Sequence, residues 1–341
     1  MTKLNVLVCG SSGYIGIELI KILIKHKKIN IKYLCGNSSV GKKISLYDKS
    51  LSKIKLPIIS KFKKTFLSDI DIIFSALPNG GAQKLSKYLL EKNLLIDLSA
   101  DFRLKNSNEY LKWYKNQHSA KNLIKDALYS LPELKKNLIK NIKIISSPGC
   151  YPTSILLPLA PLIKKNLISR KNIIIDSKSG YSGAGRSIHK KYKYMNLYES
   201  LSAYGVSNHR HNAEIQQELN LYTKKKCYFD FTPHLSPMFK GIMTTMYVDI
   251  NKNTDPKKIH KYLSKFFSNC KFVKIKKINS LLSTNEVINT NNCVISLCYS
   301  KNKNKLIILS AIDNLIKGGG GQAVQSMNIF YGFRENEGLN V

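Results

Sequence analysis

An apolar run from Leu4 to Val8 ends in Cys9-Gly10-Ser11-Ser12-Gly13-Tyr14-Ile15-Gly16 and leads straight into a second apolar stretch, Ile17 to Ile24. This reads as strand, tight turn, helix, with glycines at Gly10, Gly13 and Gly16. Glycines let a backbone turn sharply and approach a pyrophosphate resting on a helix N-terminus, so the spacing is a variant of the dinucleotide fingerprint. An ordinary tight strand-to-helix turn is the plainer alternative.

Further strands are expected at Asn30 to Leu34, Asp71 to Phe74, Leu94 to Asp97 and Ile142 to Ile145, with a helix from about Ala82 to Glu91. Alternating strands and helices argue for an α/β, Rossmann-type domain with a parallel sheet and ligands at the carboxyl strand ends. After the second strand, an NAD site would usually carry an acid for the ribose 2′-hydroxyl. Ser38, Ser39 and Lys42 stand there instead. They suit a 2′-phosphate, which favours NADP(H), although each also fits a solvated loop. Pro78, Asn79 and Gly80 lie at another strand end, where they would form a floor for the cofactor.

Beyond residue 150 the character changes. Ile173 to Asp176, Tyr228 to Phe231, Met243 to Ile250, Cys293 to Tyr299 and Lys305 to Ser310 read as strands of a mostly antiparallel sheet. Helices fit about Glu214 to Leu221 and Pro256 to Phe267. The expectation is an NADP-binding domain over 1–149, an α+β catalytic and dimerisation domain over 150–313, and a C-terminal helix within 314–341 rejoining the first. A chain of 341 residues suits two domains.

The net charge of +34 raises nucleic-acid binding as a rival from another class. The lysines, however, are spread along the whole length and interleaved with Asn and Ile, as in Lys301-Asn302-Lys303-Asn304. A/T-rich codon drift accounts for that pattern, so no nucleic-acid partner is expected. No apolar run reaches the roughly 20 residues of a membrane span, so no membrane partner is expected either. With a strand-like start, no secretory leader is expected. The seven cysteines are scattered and lack Cys-x-x-Cys spacing, which suggests a reducing cytoplasm and neither disulfides nor zinc.

One of those cysteines stands apart. Cys150 lies in Ser146-Ser147-Pro148-Gly149-Cys150-Tyr151-Pro152-Thr153, between a strand and an apolar helix. A helix N-terminus carries partial positive charge and favours the thiolate, the reactive form of the side chain. A small buried core residue is the bland alternative. Polar clusters fall elsewhere in loops: Asp97-Leu98-Ser99-Ala100-Asp101-Phe102-Arg103, Ser179 to Arg186, Asn208-His209-Arg210-His211 and Thr232-Pro233-His234. Histidine exchanges protons near neutrality, and Cys–His is a familiar nucleophile pairing. His-x-His spacing could also suggest a metal, but no further ligands cluster nearby, so none is expected.

Taken in order, Gly10-Ser-Ser-Gly-Tyr-Ile-Gly16, Asp97-Leu-Ser-Ala-Asp-Phe-Arg103, Leu131-Pro-Glu-Leu134, Ser147-Pro-Gly-Cys-Tyr-Pro-Thr153, Ser179-Gly-Tyr-Ser-Gly-Ala-Gly-Arg186, His209-Arg-His211, Phe231-Thr-Pro-His234 and Gly321-Gln-Ala-Val-Gln325 resemble the N-acetyl-γ-glutamyl-phosphate reductase family. The resemblance runs from about Leu4 to Leu339; the cysteine and His-Arg-His motifs are its specific part. Asn212-Ala213 departs from a common Thr-Pro pair, and Gly318 to Gly320 from the usual small-residue run.

The resemblance implies reduction of an acyl phosphate to a semialdehyde by NADPH in arginine biosynthesis, through a Cys150 thioester. His209 is expected as the acid/base and His211 at the substrate, an order of the two that sequence alone does not fix. Arg186 is expected at the anionic end of the substrate, and Arg103, Arg210 and Lys240 are further candidates that could equally be structural ion-pair partners. Ser12, Tyr14, Ser182, Gly183, Asn314 and Gln322 complete the set expected to face the cofactor. A homo-oligomer, dimer or tetramer, is implied as well. The nearest rivals are aminoadipyl-phosphate and aspartyl-phosphate reductases of the same two-domain type.

Overall fold

Residues 3–186 and 199–341 are described by a computed structural model, and their strands form two sheets belonging to two compact units. The first unit runs to Pro148 and resumes at Gly319–Asn340; the second is Gly149–Gly318.

The first unit begins β1 (Leu4–Cys9), α1 (Tyr14–Leu23), β2 (Ile29–Cys35), β3 (Ile72–Ser75), α2 (Gly81–Ser86) and β4 (Leu94–Asp97). It continues with α3 (Ser107–Tyr114), β5 (Ala127–Tyr129), α4 (Pro132–Lys135) and β6 (Ile144–Ser146). The strand order is β2-β1-β3-β4-β6-β5, and every pairing is parallel. Val6, Leu7, Val8 and Cys9 are all buried, as a strand covered on both faces requires. The first helical stretch begins earlier than its apolar run suggests, at Tyr14. Conversely, α2 stops at Ser86 rather than Glu91. The side chain of Asn93 accepts from Leu90 N at 2.8 Å and donates to the Leu67 and Ile70 carbonyls, which turns the chain early into β4.

The second unit opens with α5 (Cys150–Lys164), β7 (Ile173–Gly180), β8 (Ser202–Ala203), α6 (His211–Thr223) and β9 (Phe229–Ser236). It closes with β10 (Ile242–Asp249), α7 (Pro256–Phe266), β11 (Val273–Ile275), β12 (Cys293–Tyr299) and β13 (Lys305–Ile312). The order is β11-β12-β13-β10-β7-β9-β8. The sheet is mixed: β7–β9 and β11–β12 pair in parallel, the remaining neighbours antiparallel. The expectation of a mostly antiparallel sheet is corrected accordingly. Helix α6 provides the crossover that lets β9 run alongside β7 in the same direction. Helix α5, buried from Tyr151 to Ile163, packs on β10 and β13.

The last helix, α8 (Gly321–Phe330), packs on α1 in the first unit. Gly320 precedes it, and a Cβ there would lie 3.3 Å from Leu19 Cα. No helix among the described residues is long and apolar enough to cross a membrane.

Candidate active site

Cys150 is the first residue of α5, after an extended Gly149 with φ −67° and ψ 157°. The helix therefore starts at the cysteine itself, whose side chain is half-buried. First-turn amides point outward from such a start and favour negative charge. The Gly149 N–H donates to Glu214 Oε1 at 2.7 Å, and Glu214 is fully buried in the first turn of α6.

Tyr151, the next residue, anchors a ring cluster. Its ring meets His209 edge-on at 5.6 Å between centroids, His211 at 5.9 Å and Phe231 at 5.3 Å. His209 and His211 lie 4.7 Å apart. The sequence thus places Cys150, His209 and His211 on neighbouring parts of one unit, and the Tyr151 ring gathers the two imidazoles beside the helix that Cys150 begins. Tyr204 belongs to the cluster too, 5.4 Å from His209, with its hydroxyl 3.1 Å from Tyr151 Oη. Sequence reasoning missed it, because a tyrosine in a polar loop carries no motif.

The His209 ring has a fixed orientation. Its Nδ1 accepts the His211 backbone N–H at 3.2 Å, so the neutral ring carries its proton on Nε2. Burial, reinforced by the Arg210 charge, pulls its pKa down to about 4. His209 is neutral throughout the physiological range. His234, by contrast, has Nδ1 3.1 Å from Asp176 Oδ1.

Loops after β7, β9 and β13 meet around Asn314. Its Oδ1 accepts from Gly241 N at 2.7 Å and its Nδ2 donates to Ser182 Oγ at 2.9 Å. A Cβ on Gly183 would lie 3.5 Å from the same Nδ2. Ser182, Gly183 and Asn314 are therefore neighbours. Lys240 Nζ donates to Asn289 Oδ1 at 3.2 Å. Arg186 and Arg210 are exposed. Arg103 is different: it is buried in the first unit, with Nε donating to Ser147 O at 2.8 Å and Nη2 to Leu98 O at 3.2 Å. Those bonds hold the ends of β4 and β6 together, a structural task.

The rest of the Asp97–Arg103 motif is likewise directed inward. Asp97 accepts from Ser99 N, Ser99 Oγ and Phe102 N. Burial, with Asp101 beside it, pushes its pKa up to about 6. Asp101 receives Gly80 N, Gln83 N and Tyr110 Oη at the start of α2.

The first unit also offers a cradle for a dinucleotide. Gly10 has φ +78°, and a Cβ there would strike Ala76 O at 2.3 Å. At Gly16 it would strike Gly10 O at 2.3 Å, whereas at Gly13 it would meet only Gly10 O at 3.4 Å. Gly10 and Gly16 close the turn, and Gly13 leaves space above the N-terminus of α1, which has no side-chain cap. Ser12 Oγ lies 3.0 Å from Ser39 Oγ, joining the glycine turn to the loop after β2, where Ser38 and Lys42 are exposed. Tyr14 opens α1, and Pro78 is exposed after β3. Both amide atoms of buried Gln322, and the hydroxyls of Ser75, Ser146 and Ser147, have no hydrogen-bond partner among the described residues. Unsatisfied buried groups are costly and call for a ligand or water. These residues fit a bound dinucleotide.

Comparison with known proteins decides the family. Residues 5–142 match the semialdehyde dehydrogenase NAD-binding domain, and residues 150–314 the semialdehyde dehydrogenase dimerisation domain. An N-acetyl-gamma-glutamyl-phosphate reductase from Vesicomyosocius okutanii is 44% identical, covering 97% of this chain and 96% of its own. One from Clostridium botulinum is 41% identical over 98% and 97%. The chain belongs to the N-acetyl-gamma-glutamyl-phosphate reductase family. Aspartate semialdehyde dehydrogenase with NADP from Candida albicans shares the fold of this reductase family member at TM-score 0.70 and 14% identity, covering 96% of this chain and 98% of that one. Family membership identifies the first unit's match as an NAD-binding domain.

Proposed function

We propose that this protein reduces N-acetyl-γ-glutamyl phosphate to N-acetylglutamate semialdehyde with release of phosphate, as a step of arginine biosynthesis. The names of its full-length relatives support the substrate. The observation carrying the chemistry is Cys150 at the first position of α5, with His209 and His211 gathered on the adjoining Tyr151 ring.

The cofactor is NADP(H), favoured by Ser38, Ser39 and Lys42 and by the absence of an acid among them. Gly10, Ser12, Gly13, Tyr14, Gly16, Pro78 and Gln322 of the first unit would hold it. When bound, it supplies the hydride that reduces the acyl group.

The remaining steps belong to the chain's own residues. Cys150 thiolate adds to the acyl carbon, the carbon–oxygen bond to phosphate breaks, and the leaving phosphate takes up a proton. The acyl group stays on sulfur as a thioester. After reduction, expulsion of the Cys150 sulfur as thiolate from the thiohemiacetal oxyanion yields the aldehyde. Splitting the reduction in this way replaces one difficult step by easier ones. At both additions the substrate oxygen gains negative charge. His209, neutral and carrying its proton on Nε2, is suited to donate a hydrogen bond to that oxygen. We assign His211, Arg186, Arg210 and Lys240 to the anionic groups of the substrate, and Arg103 to the scaffold.

We further propose a homo-oligomer, a dimer or tetramer, built on the second unit's sheet. Ile174, Tyr247, Ile307 and Cys298 are consecutive cross-strand partners on β7, β10, β13 and β12. Ile174 and Tyr247 remain 48% and 39% exposed, an apolar row that a second copy would cover. The match to a dimerisation domain supports this. The dispersed cysteines support a cytoplasmic setting.

The test is the reverse reaction. Phosphate-dependent reduction of NADP by N-acetylglutamate semialdehyde is expected; absence of NADPH formation with a properly folded protein refutes the reading.

A further inference from the structure

The backbone at Gly318 passes directly against the nucleophile. A Cβ built on Gly318 would lie 2.6 Å from Cys150 Cβ, 3.0 Å from Cys150 Cα and 3.3 Å from Ile312 Cδ1. Carbon atoms do not approach that closely, so the strip of backbone at 318 forms one wall of the space in which the Cys150 side chain sits.

That strip is itself held by one buried residue. Asp313, 0% exposed at the end of β13, accepts the Gly318 N–H on its backbone carbonyl at 2.9 Å. Its carboxylate receives three more backbone amides: Leu315 N at 2.8 Å and Ile316 N at 3.1 Å on Oδ1, and Asn289 N at 2.9 Å on Oδ2. Three amide donors on one carboxylate fix the course of the chain between 313 and 318. The third of them reaches a different loop, whose Asn289 side chain accepts from Lys240 Nζ. The adjacent Asn314 bridges Gly241 and Ser182.

We infer that Asp313 is a positioning residue, which sets the Cys150 side chain through the Gly318 backbone and ties that setting to the Lys240 loop. It touches no reacting atom. It acts by folding residues 315–318 into the shape that confines the thiol, and a small displacement of a nucleophile costs disproportionately in rate. The glycine is needed for the same reason: any side chain at 318 enters the space that Cys150 occupies.

The inference rests on Cys150 as nucleophile, and one experiment separates the two. Intact folded enzyme is treated with iodoacetamide, and the alkylation rates of Cys150, Cys270 and Cys298, all half-buried, are read from peptide masses. The latter two serve as internal references. In the wild type Cys150 is expected to react fastest; if it does not, the nucleophile assignment itself fails. In Asp313→Asn, which keeps the volume but replaces one acceptor by a donor, the Cys150 rate relative to the references is expected to fall about tenfold. The kcat is expected to fall similarly, with the KM for NADPH within about twofold. A purely structural role would lower Tm while leaving the Cys150 ratio and kcat at low temperature unchanged, and that result overturns the inference. Gly318→Ala perturbs the same wall from its other side and is expected to shift the Cys150 ratio as well. Should Asp313→Asn not fold, Asp313→Glu, which keeps the charge but displaces the acceptor oxygens, decides: an unaltered Cys150 ratio overturns the inference, and a lowered one with native Tm upholds it.

Discussion

The backbone N–H of Gly149 donates to Glu214 Oε1 at 2.7 Å, joining the residue before Cys150 to the helix that His211 begins. Both partners are enclosed, so the bond cannot be replaced by water without rearrangement. Glu214→Ala leaves a buried amide without its acceptor, at a cost of about 1–3 kcal/mol. Thermal unfolding should show a Tm several degrees lower, and kcat should fall as the start of α5 loosens. Glu214→Gln keeps an acceptor oxygen and should lose less of both. A wild-type Tm and kcat in the alanine variant would contradict this coupling.

The three fingerprint glycines should separate by substitution. Gly16→Ala pushes a methyl into Gly10 O, so it should lower Tm markedly. Gly13→Ala has φ −72° and meets only Gly10 O at 3.4 Å, so the fold should tolerate it. Its methyl would instead stand over the α1 N-terminus, where the pyrophosphate is proposed to rest. Calorimetry should therefore find native Tm and a cofactor Kd raised roughly tenfold or more. Native cofactor affinity in Gly13→Ala would argue against that placement.

Cofactor preference provides a third test. Lys42 is exposed in the loop after β2, and no acidic residue lies among Gly36 to Lys42. The wild type should use NADPH over NADH by kcat/KM. Lys42→Ala should reduce that ratio by about tenfold, the scale of one charge-assisted hydrogen bond, without changing Tm. An unchanged ratio would remove Lys42 from the 2′-phosphate site.

The depressed pKa of His209 gives a pH prediction with a definite sign. Its value of about 4 in the folded protein lies below the ordinary one, so between the two the unfolded chain binds more protons. Stability from this residue is full above about pH 6.5 and is lost as pH falls toward 4. His209→Gln cannot titrate, so its Tm relative to wild type should rise over that interval. Asp97, raised to about 6, acts in the opposite sense in both proteins and cancels in the comparison. A difference in Tm independent of pH would show that His209 is not held neutral.

Much of this was readable in the residues because local rules agree with the fold. Leu4 to Val8 followed by glycines can hardly form anything but a strand and turn, and the Pro148-Gly149 break fixes where α5 begins. Strand direction was not readable. The alternation in β7 and β9 is the same whether the pair runs parallel or antiparallel, and only the α6 crossover between them decides. Short elements such as β5 and β11, three residues each, carry too little pattern to stand out. The two carbonyls within reach of Arg103 were not readable either, because its motif gives no hint of them. The His209 tautomer depends on the His211 amide, a contact two residues away that no side-chain pattern reveals.

The central claim, that Cys150 carries the acyl group, is tested most directly by mixing the protein with N-acetyl-γ-glutamyl phosphate in the absence of NADPH. A rapid release of phosphate equal in amount to the protein is predicted, together with an N-acetylglutamyl mass increase that maps to Cys150 and is absent in Cys150→Ser. Phosphate release without any adduct, or an undiminished burst in the serine variant, would contradict it.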